Sequence, residues 1–263
     1  MRILVVLICF VCSLNARIIE MPNFEHLSQY VDEKTLLILD IDDTLLITKQ
    51  MLGCDEWFKH RLNINQKKLE GNFQHALDLT LFEWEGIRHI TEMEIVEPGL
   101  VKVVHDLQKK PITLMGLTTQ SLSLSKRTAH QLKSHYLDLS ITAPEKRAYH
   151  VFLDDHDLFF NKGILFTDGA HKGKAFFQFC DHVGYLPKRI VFVNDKASHI
   201  KEIEDEAIKR NIEFLGLRYA YSDAKKEVFS QEIADFQFHN SSFHRLLTDD
   251  EAKELMTIEK DEG

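Results

Sequence analysis

Cysteine is scarce in this sequence, which limits what the fold can use for covalent support. Four cysteines occur, and two of them, Cys9 and Cys12, lie near the start of the chain. The other two, Cys54 and Cys180, are too few for the disulfide framework on which small secreted domains depend. We favour two separate buried thiols, since free cysteine is often simply buried; a single disulfide between them is the alternative.

Positive charge is also in deficit. Lysine and arginine number 32 against 41 aspartate and glutamate residues, which gives a formal net charge of −9. A protein that holds nucleic acid needs a basic surface to neutralise the backbone phosphates. The composition therefore argues against nucleic acid as a partner, although it leaves room for a local basic pocket.

Long hydrophobic runs are missing except at the start of the chain. Arg2 is followed by an uninterrupted apolar run over residues 3–11, and Ala16 offers a cleavage point before Arg17. This order is typical of a signal peptide, so we expect residues 1–16 to be removed and the protein to be exported, to the periplasm or as a secreted protein. A buried first strand or an uncleaved anchor is the alternative. A membrane span needs about 20 apolar residues, so we expect none in the mature chain.

What the sequence does contain is an alternation of strands and helices. Continuous apolar runs at 35–39, 112–117, 189–193 and 214–219 suit strands that are buried on both faces of a parallel sheet. Helix-like segments follow these runs. Such alternation predicts an α/β fold with a three-layer, Rossmann-like parallel sheet.

Residues 52–92 differ from this pattern. They are polar, with aromatic and leucine residues at mixed three- and four-residue spacings. This periodicity predicts two or three helices in a small insert. We therefore expect the mature chain to consist of an α/β core, formed by residues 17–45 and 96–263, and a helical insert at 46–95.

The first buried run ends in two carboxylates, which are the strongest sign of chemistry in the chain. Asp40 and Asp42 follow Leu39 and project from the carboxyl end of the strand, where open α/β sheets bind ligands. Two acids this close repel one another, which favours a bound cation, and Mg²⁺ prefers such oxygen ligands. One carboxylate can attack phosphorus while the other protonates the leaving group. A polar strand end with an aspartate cap is the alternative.

The segment Leu36-Leu37-Ile38-Leu39-Asp40-Ile41-Asp42-Asp43-Thr44 resembles the first motif of the haloacid dehalogenase (HAD) superfamily, hhhhDxDxT. The resemblance implies a Mg²⁺-dependent phosphohydrolase with Asp40 as nucleophile. Asp42 would be the general acid/base and would offer its backbone carbonyl to the metal, whereas Asp43 has no assigned role. The insert at 46–95 would be the cap that shapes the pocket, and the partner would be a small phosphorylated substrate.

Two further motifs follow in the order of that superfamily. Thr118 directly follows the run at 112–117 and would hold a phosphoryl oxygen; its neighbour Thr119 is the second choice. Lys172 would offset the charge of the nucleophile and the phosphate. We prefer Lys172 to Lys174, because Lys-Gly before an apolar helix is similar to the family's usual form.

The fourth motif is the acid after the next buried run. This acid is Asp195, which the resemblance makes a metal ligand alongside Asp40 and Asp42. Its surroundings depart from the family pattern: Asn194 stands where some relatives carry an acid, and His199 where a second Asp or Asn often lies. Imidazole is a poor Mg²⁺ ligand compared with oxygen, so we expect a lower affinity for the metal.

The leader and the segment Gly163-Ile164-Leu165-Phe166-Thr167 make the chain similar to a group of exported bacterial HAD-like proteins, the DUF2608 group, which implies no known substrate. We expect a HAD-type phosphatase acting on phosphomonoesters. The alternative is a secreted binding protein on the same scaffold with weak or no catalysis. A dehalogenase is disfavoured, because cleavage of a carbon–halogen bond does not need the proton that Asp42 would supply.

Overall fold

Ten strands form the framework of the computed structural model, which describes residues 17–242 and 246–261; the predicted signal peptide lies outside the described residues. The strands are β1 (Arg17–Met21), β2 (Thr35–Leu39), β3 (Leu46–Thr48), β4 (Met93–Ile95), β5 (Thr113–Thr118), β6 (Tyr149–Leu153), β7 (His156–Asn161), β8 (Ile164–Phe166), β9 (Arg189–Asn194) and β10 (Glu213–Tyr219).

Eight of these strands form one sheet, in the order β1-β10-β9-β2-β5-β8-β7-β6. The first six run parallel to one another, whereas β7 and β6 add an antiparallel edge. Every residue of the central strand β2 is buried, which matches its continuous apolar sequence. The predicted α/β class with a mainly parallel sheet is confirmed.

Helices connect these strands and cover both faces of the sheet. Within the described ranges, none of them combines the length and the hydrophobic character needed to cross a bilayer. They are α1 (Asp55–Lys68), α2 (Phe73–Ile90), α3 (Leu100–Gln108), α4 (Ser125–Ser134), α5 (Lys172–Val183), α6 (Ala197–Lys209), α7 (Asp223–Glu227), α8 (Gln231–Asn240) and α9 (Asp249–Asp261), with short 3₁₀ helices at Phe24–Tyr30 and Leu122–Leu124.

The two-residue period of β2 explains the two helical layers. Successive side chains of a strand point to opposite faces of the sheet. Leu37 and Leu39 therefore face a core that they share with α3, whereas Leu36 and Ile38 face a second core that they share with α5 and α6. The sheet is thus buried between two layers, and its carboxyl edge is the part left open for a ligand.

The insert begins and ends in a small antiparallel pair, in which β3 and β4 place Leu46 opposite Ile95. The helices α1 and α2 lie between these two strands in the sequence. Trp57 of α1 is buried in an apolar cluster with Ala234 of α8, so the insert packs against the C-terminal part of the chain as well as over the sheet. The division of the chain at residues 46 and 95 stays a prediction.

Cys54 and Cys180 are free thiols. Cys180 is buried in the core beside α6. Cys54 caps the start of α1, where its Sγ accepts a hydrogen bond from the backbone N–H of Trp57. The favoured interpretation is therefore confirmed in that the thiols are separate, but of the two only Cys180 is buried, since Cys54 is half-buried.

Candidate functional site

Three strand ends meet at the carboxyl edge of the sheet and bring predicted site residues together. Asp40 follows β2, Thr118 ends β5 and Asp195 follows β9. Because β2 lies between β5 and β9, these ends are neighbours, and the backbone N–H of Asp40 donates to the carbonyl of Val193 at 3.0 Å. Lys172, at the start of α5, reaches the same edge.

Asp40 is buried and paired with a lysine. Lys172 Nζ lies 2.7 Å from Asp40 Oδ1, and the exposed fractions of Asp40 and Lys172 are 5% and 1%. Burial raises the pKa of Asp40 to about 6; Lys172 opposes the rise and Asp195 adds to it. Lys174, the second choice in the sequence, is exposed. Asp40 is therefore a carboxylate held out of water beside a buried ammonium.

Asp42 is held between the sheet and the insert. Arg88 Nη2 lies 2.5 Å from Asp42 Oδ1, and Gln120 Nε2 donates to Asp42 Oδ2 over 2.8 Å. The hydroxyl of Thr128 fixes Gln120 by donating to its Oε1 over 2.6 Å. Arg88 comes from α2, where its guanidinium lies 5.2 Å from the centre of the Trp84 ring. Both oxygens of Asp42 accept hydrogen bonds, which is the pattern of an ionised carboxylate.

The two threonines at the end of β5 have different surroundings. Thr118 is buried, and its Oγ1 accepts a hydrogen bond from the backbone N–H of Gln120 at 3.2 Å. This contact uses an acceptor site of the hydroxyl and leaves its proton for another group. Thr119 is exposed and lines the cavity at this edge. Of the two threonines, Thr119, the second choice in the sequence, is thus the one that lines the cavity, whereas Thr118 is buried beside it.

Asp195 is paired with a lysine to which the sequence analysis gave no role. Lys226 Nζ lies 2.5 Å from Asp195 Oδ2 and 3.7 Å from Asp43 Oδ2. Both carboxylates are buried. Burial raises the pKa of Asp43 to about 7, an effect that Lys226 opposes and Asp195 strengthens. Lys226 therefore offsets the negative charge of both carboxylates in the part of the site where the sequence predicts a metal.

The chemistry of the donors decides whether Mg²⁺ suits this part of the site. In the part of the chain that the structure describes, no group of three or more histidine, cysteine, aspartate or glutamate side chains is placed to hold a metal ion. The predicted set is of another kind: the carboxylates of Asp40 and Asp195 and the backbone oxygen of Asp42. All are oxygens, and Mg²⁺ commonly completes its shell with water. The donors thus fit Mg²⁺ in kind, with Lys226 as a competitor for Asp195.

The two departures from the family pattern have different roles in the structure. His199 is half-buried, and its burial, assisted by Lys172 and Lys196, lowers the pKa of its imidazole to about 3. Its Nδ1 has no hydrogen-bond partner among the described residues. The side-chain oxygen of Asn194 accepts a hydrogen bond from the backbone N–H of Lys196 at 2.7 Å. Asn194 thus fixes the loop after β9, and His199 adds a neutral polar group to the site.

A cavity of about 180 Å³ lies over these strand ends. On the sheet side it is lined by the predicted carboxylates together with Lys196 and His199. Lys196 Nζ lies 2.8 Å from Asp55 Oδ1 of α1, which ties the insert to the core at this point. Most of the remaining wall comes from the insert and includes Phe58, Leu81, Trp84, Arg88 and Met93.

Sequence reasoning missed four residues that hold or surround the carboxylates, namely Arg88, Gln120, Lys196 and Lys226. A signal was available for two of them, because Lys196 directly follows Asp195 and Gln120 lies just beyond the threonines of β5. Arg88 and Lys226 lie on α2 and α7, far from any motif in the sequence. Only the packing of those helices brings them to the site.

Proteins from Chlamydia are similar to this chain over most of its length. A Chlamydia pneumoniae protein with the provisional name outer membrane protein is 24% identical over 265 residues, which cover 95% of this chain and 93% of that protein. A second Chlamydia pneumoniae protein of that name is 26% identical, with 86% and 84% covered. One from Chlamydia trachomatis is 23% identical, with 87% and 84% covered.

Solved structures with a similar arrangement are more distant. A haloacid dehalogenase-like family hydrolase from Streptococcus pneumoniae aligns with a TM-score of 0.42 at 10% identity, over 69% of this chain and 92% of that chain. A Thermotoga maritima protein provisionally named β-phosphoglucomutase aligns with a TM-score of 0.37 at 12% identity, over 74% and 99%. Both scores are below 0.5, and no inference about activity rests on them.

A family model covers nearly the whole of the described chain. It matches residues 20–253 and is described as a protein of unknown function, DUF2608. The match includes the strand ends, the insert and the helices that carry Arg88 and Lys226. The chain belongs to the DUF2608 family.

Proposed function

We propose that this protein is a Mg²⁺-dependent phosphomonoesterase that acts through an aspartyl-phosphate on Asp40. One observation carries the proposal: Asp40 is buried against Lys172 at the open edge of the sheet, beneath a cavity that the insert closes on the other side. A carboxylate in this setting is a suitable nucleophile, and the ammonium can offset charge on the phosphate. The order of the four sequence motifs supports the same assignment.

In the first step, a carboxylate oxygen of Asp40 attacks phosphorus, and the bond between phosphorus and the leaving oxygen breaks. Asp42, when protonated, passes its proton to that oxygen; a good leaving group departs without this help. Lys172 and the hydroxyl of Thr118 are the groups we assign to the phosphoryl oxygens.

In the second step, water attacks phosphorus, the bond to Asp40 breaks and inorganic phosphate is released. The ionised Asp42, held by Arg88 and Gln120, is in the form that accepts a proton from that water. Mg²⁺, when bound by Asp40, Asp195 and the backbone oxygen of Asp42, supplies positive charge beside the phosphoryl group.

Hydrolysis of an aryl phosphate by the purified protein, with Mg²⁺ or with a chelator, tests this function. We expect metal-dependent turnover that falls to background in Asp40→Asn, because the amide keeps the size of the side chain but cannot attack. Asp154→Asn is the matched control, since Asp154 is exposed in the turn between β6 and β7. Equal turnover in Asp40→Asn and the wild type would refute the proposed chemistry.

A second candidate function is a binding protein on the same scaffold with weak or no catalysis. The observation that favours it is the pairing of Lys226 with Asp195, since a metal ligand already satisfied by a lysine has less need of Mg²⁺. Absence of turnover in the assay above, together with retained binding of a phosphate ester, would select this function.

We also propose that the protein is exported. The leader at residues 1–16 has the order of a signal peptide, and the Chlamydia relatives carry the name outer membrane protein. Mass spectrometry of protein recovered from outside the cytoplasm should find a terminus near Arg17. An intact Met1 on exported protein would refute cleavage.

A further inference from the structure

The insert presents an aromatic corner to the cavity. Phe58 of α1 and Trp84 of α2 meet edge to face, with ring centres 6.1 Å apart and planes at 84°. Leu81 and Met93 extend the same wall. A corner of this kind is set before a ligand arrives, so a ligand that packs against it does not bear the cost of ordering these side chains.

Most polar groups of this wall are already engaged. Arg88 is committed to the core carboxylate described above, Asp55 is paired with Lys196, and the hydroxyl of Thr48 donates to a backbone carbonyl at 2.8 Å. In contrast, Trp84 Nε1 is buried and has no hydrogen-bond partner among the described residues. A leaving group with several hydroxyls would therefore leave polar atoms unpaired, at about 1–3 kcal/mol for each buried one.

The volume of the cavity limits the size of the ligand. Pockets for drug-sized molecules enclose about 300–1,000 Å³, and an apolar cavity of about 150 Å³ is enough for a benzene molecule. A cavity of about 180 Å³ is therefore on the scale of a compact ester rather than of a drug-sized molecule. Nucleotides and larger esters would extend beyond it.

Resting on the proposed function, we infer that the substrate is a small phosphomonoester whose leaving group is aromatic or compactly apolar. The phosphate lies at the strand ends, and the leaving group packs against Phe58 and Trp84. Aromatic pairs add about 0.5–1.5 kcal/mol beyond the area that they bury. Trp84 therefore determines specificity through its ring, which lines the cavity.

Binding to the Asp40→Asn variant tests this inference without any need for turnover. Isothermal titration with phenyl phosphate and with glycerol phosphate, both in the presence of Mg²⁺, should give at least about tenfold tighter binding of phenyl phosphate. Equal affinities, tighter binding of glycerol phosphate, or binding of neither ester would overturn it. Hydrolysis by the wild type is measured separately, so the proposed function can fail while the preference for an aromatic ester holds.

Variants of the corner, made on the Asp40→Asn background, assign the preference to Trp84. Trp84→Ala should lower it to less than about threefold, whereas Trp84→Phe, which keeps a ring, should retain most of it. Phe82→Ala is the matched control, because Phe82 lies two residues away on α2 and is 80% exposed. An unchanged preference in Trp84→Ala, or an equal loss in Phe82→Ala, would contradict the role of the aromatic corner.

Discussion

The two sides of the cavity, the strand ends and the helical insert, differ in the kind of side chain that they contribute. On the strand side, Lys172 pairs with Asp40 and Lys226 pairs with Asp195, so buried charge meets opposite charge. On the insert side, aromatic and aliphatic side chains surround Arg88, the residue that reaches across to the core. The strand side holds the charged groups in ion pairs, whereas the insert side forms an apolar wall that shapes the cavity and excludes water. If this division is correct, substitutions on the strand side should change rates and metal affinity, and substitutions on the insert side should change ligand preference.

The largest effect should come from breaking the buried pair of Asp40. Lys172→Met keeps the stem of the side chain but removes the charge, which leaves a buried carboxylate without its partner. We expect turnover of an aryl phosphate to fall by about 10³-fold and the free energy of unfolding to fall by about 3 kcal/mol, measured by steady-state assay and urea denaturation. Lys174→Met is the control on the same helix. Turnover within tenfold of the wild type would place Lys172 outside the chemistry.

Substitution of Asp42 should lower turnover less than substitution of Lys172 does, and it should impair a different step of the reaction. Asp42→Asn should lower turnover of a good aryl ester by about 10²-fold, because the water in the second step loses its base. Labelled phosphate should then accumulate on Asp40 in a rapid-quench experiment, whereas Asp40→Asn should trap none. Failure to trap label in Asp42→Asn would remove the aspartyl-phosphate from the scheme.

Substitution of Lys226, which is paired with the predicted metal ligand Asp195, should instead increase an affinity, that for Mg²⁺. Lys226→Met removes the competitor for Asp195, so Mg²⁺ should bind about tenfold more tightly, measured by isothermal titration of the metal alone. Lys225→Met, on the neighbouring residue of α7, should leave the affinity unchanged. Weaker binding of Mg²⁺ by Lys226→Met would show that Lys226 supports the metal site.

The smallest effect should be a change in pH dependence. The pKa of His199 is lowered from 6.5 to about 3 in the folded protein, so below pH 6.5 the unfolded chain binds a proton that the native state does not. Stability from this group is complete above pH 6.5 and is lost as the pH falls towards 3.

Urea denaturation measures this contribution when His199→Gln is compared with the wild type. Between pH 7.5 and 5.5, the wild type should lose about 1 kcal/mol more of its unfolding free energy than the variant does. His89→Gln, on the exposed face of α2, is the control. Parallel pH profiles for His199→Gln and the wild type would show that the imidazole titrates freely in the fold.

The strand side could be predicted because its signals are local. Leu36 to Leu39 fix a buried strand, and the next residues, Asp40 and Asp42, must then stand at its carboxyl end. Thr118 and Asp195 follow from the same rule applied to the two neighbouring strands. The antiparallel edge formed by β6 and β7 lay outside this reasoning, since their short strands say little about which neighbour they pair with.

The insert side could not be predicted in the same way. Phe82 and Trp84 are both large, aromatic and two residues apart, yet Phe82 is exposed and Trp84 lines the cavity. Helical periodicity predicts that α2 has an apolar face but not which neighbour that face meets. Lys226 is a stronger case, because a lysine on the short helix α7 has no sequence feature that points to Asp195.

The contact between Arg88 and Asp42 has a consequence for the order of events in a catalytic cycle. Arg88 belongs to the insert and Asp42 to the sheet, so any movement that parts the two to admit substrate or release phosphate must break this ion pair. During exchange of ligands with solvent, Gln120 would remain as the support of Asp42 from the core. Under the proposed function, such a site would not be open and fully assembled at once, so ligand exchange and the chemical steps would alternate.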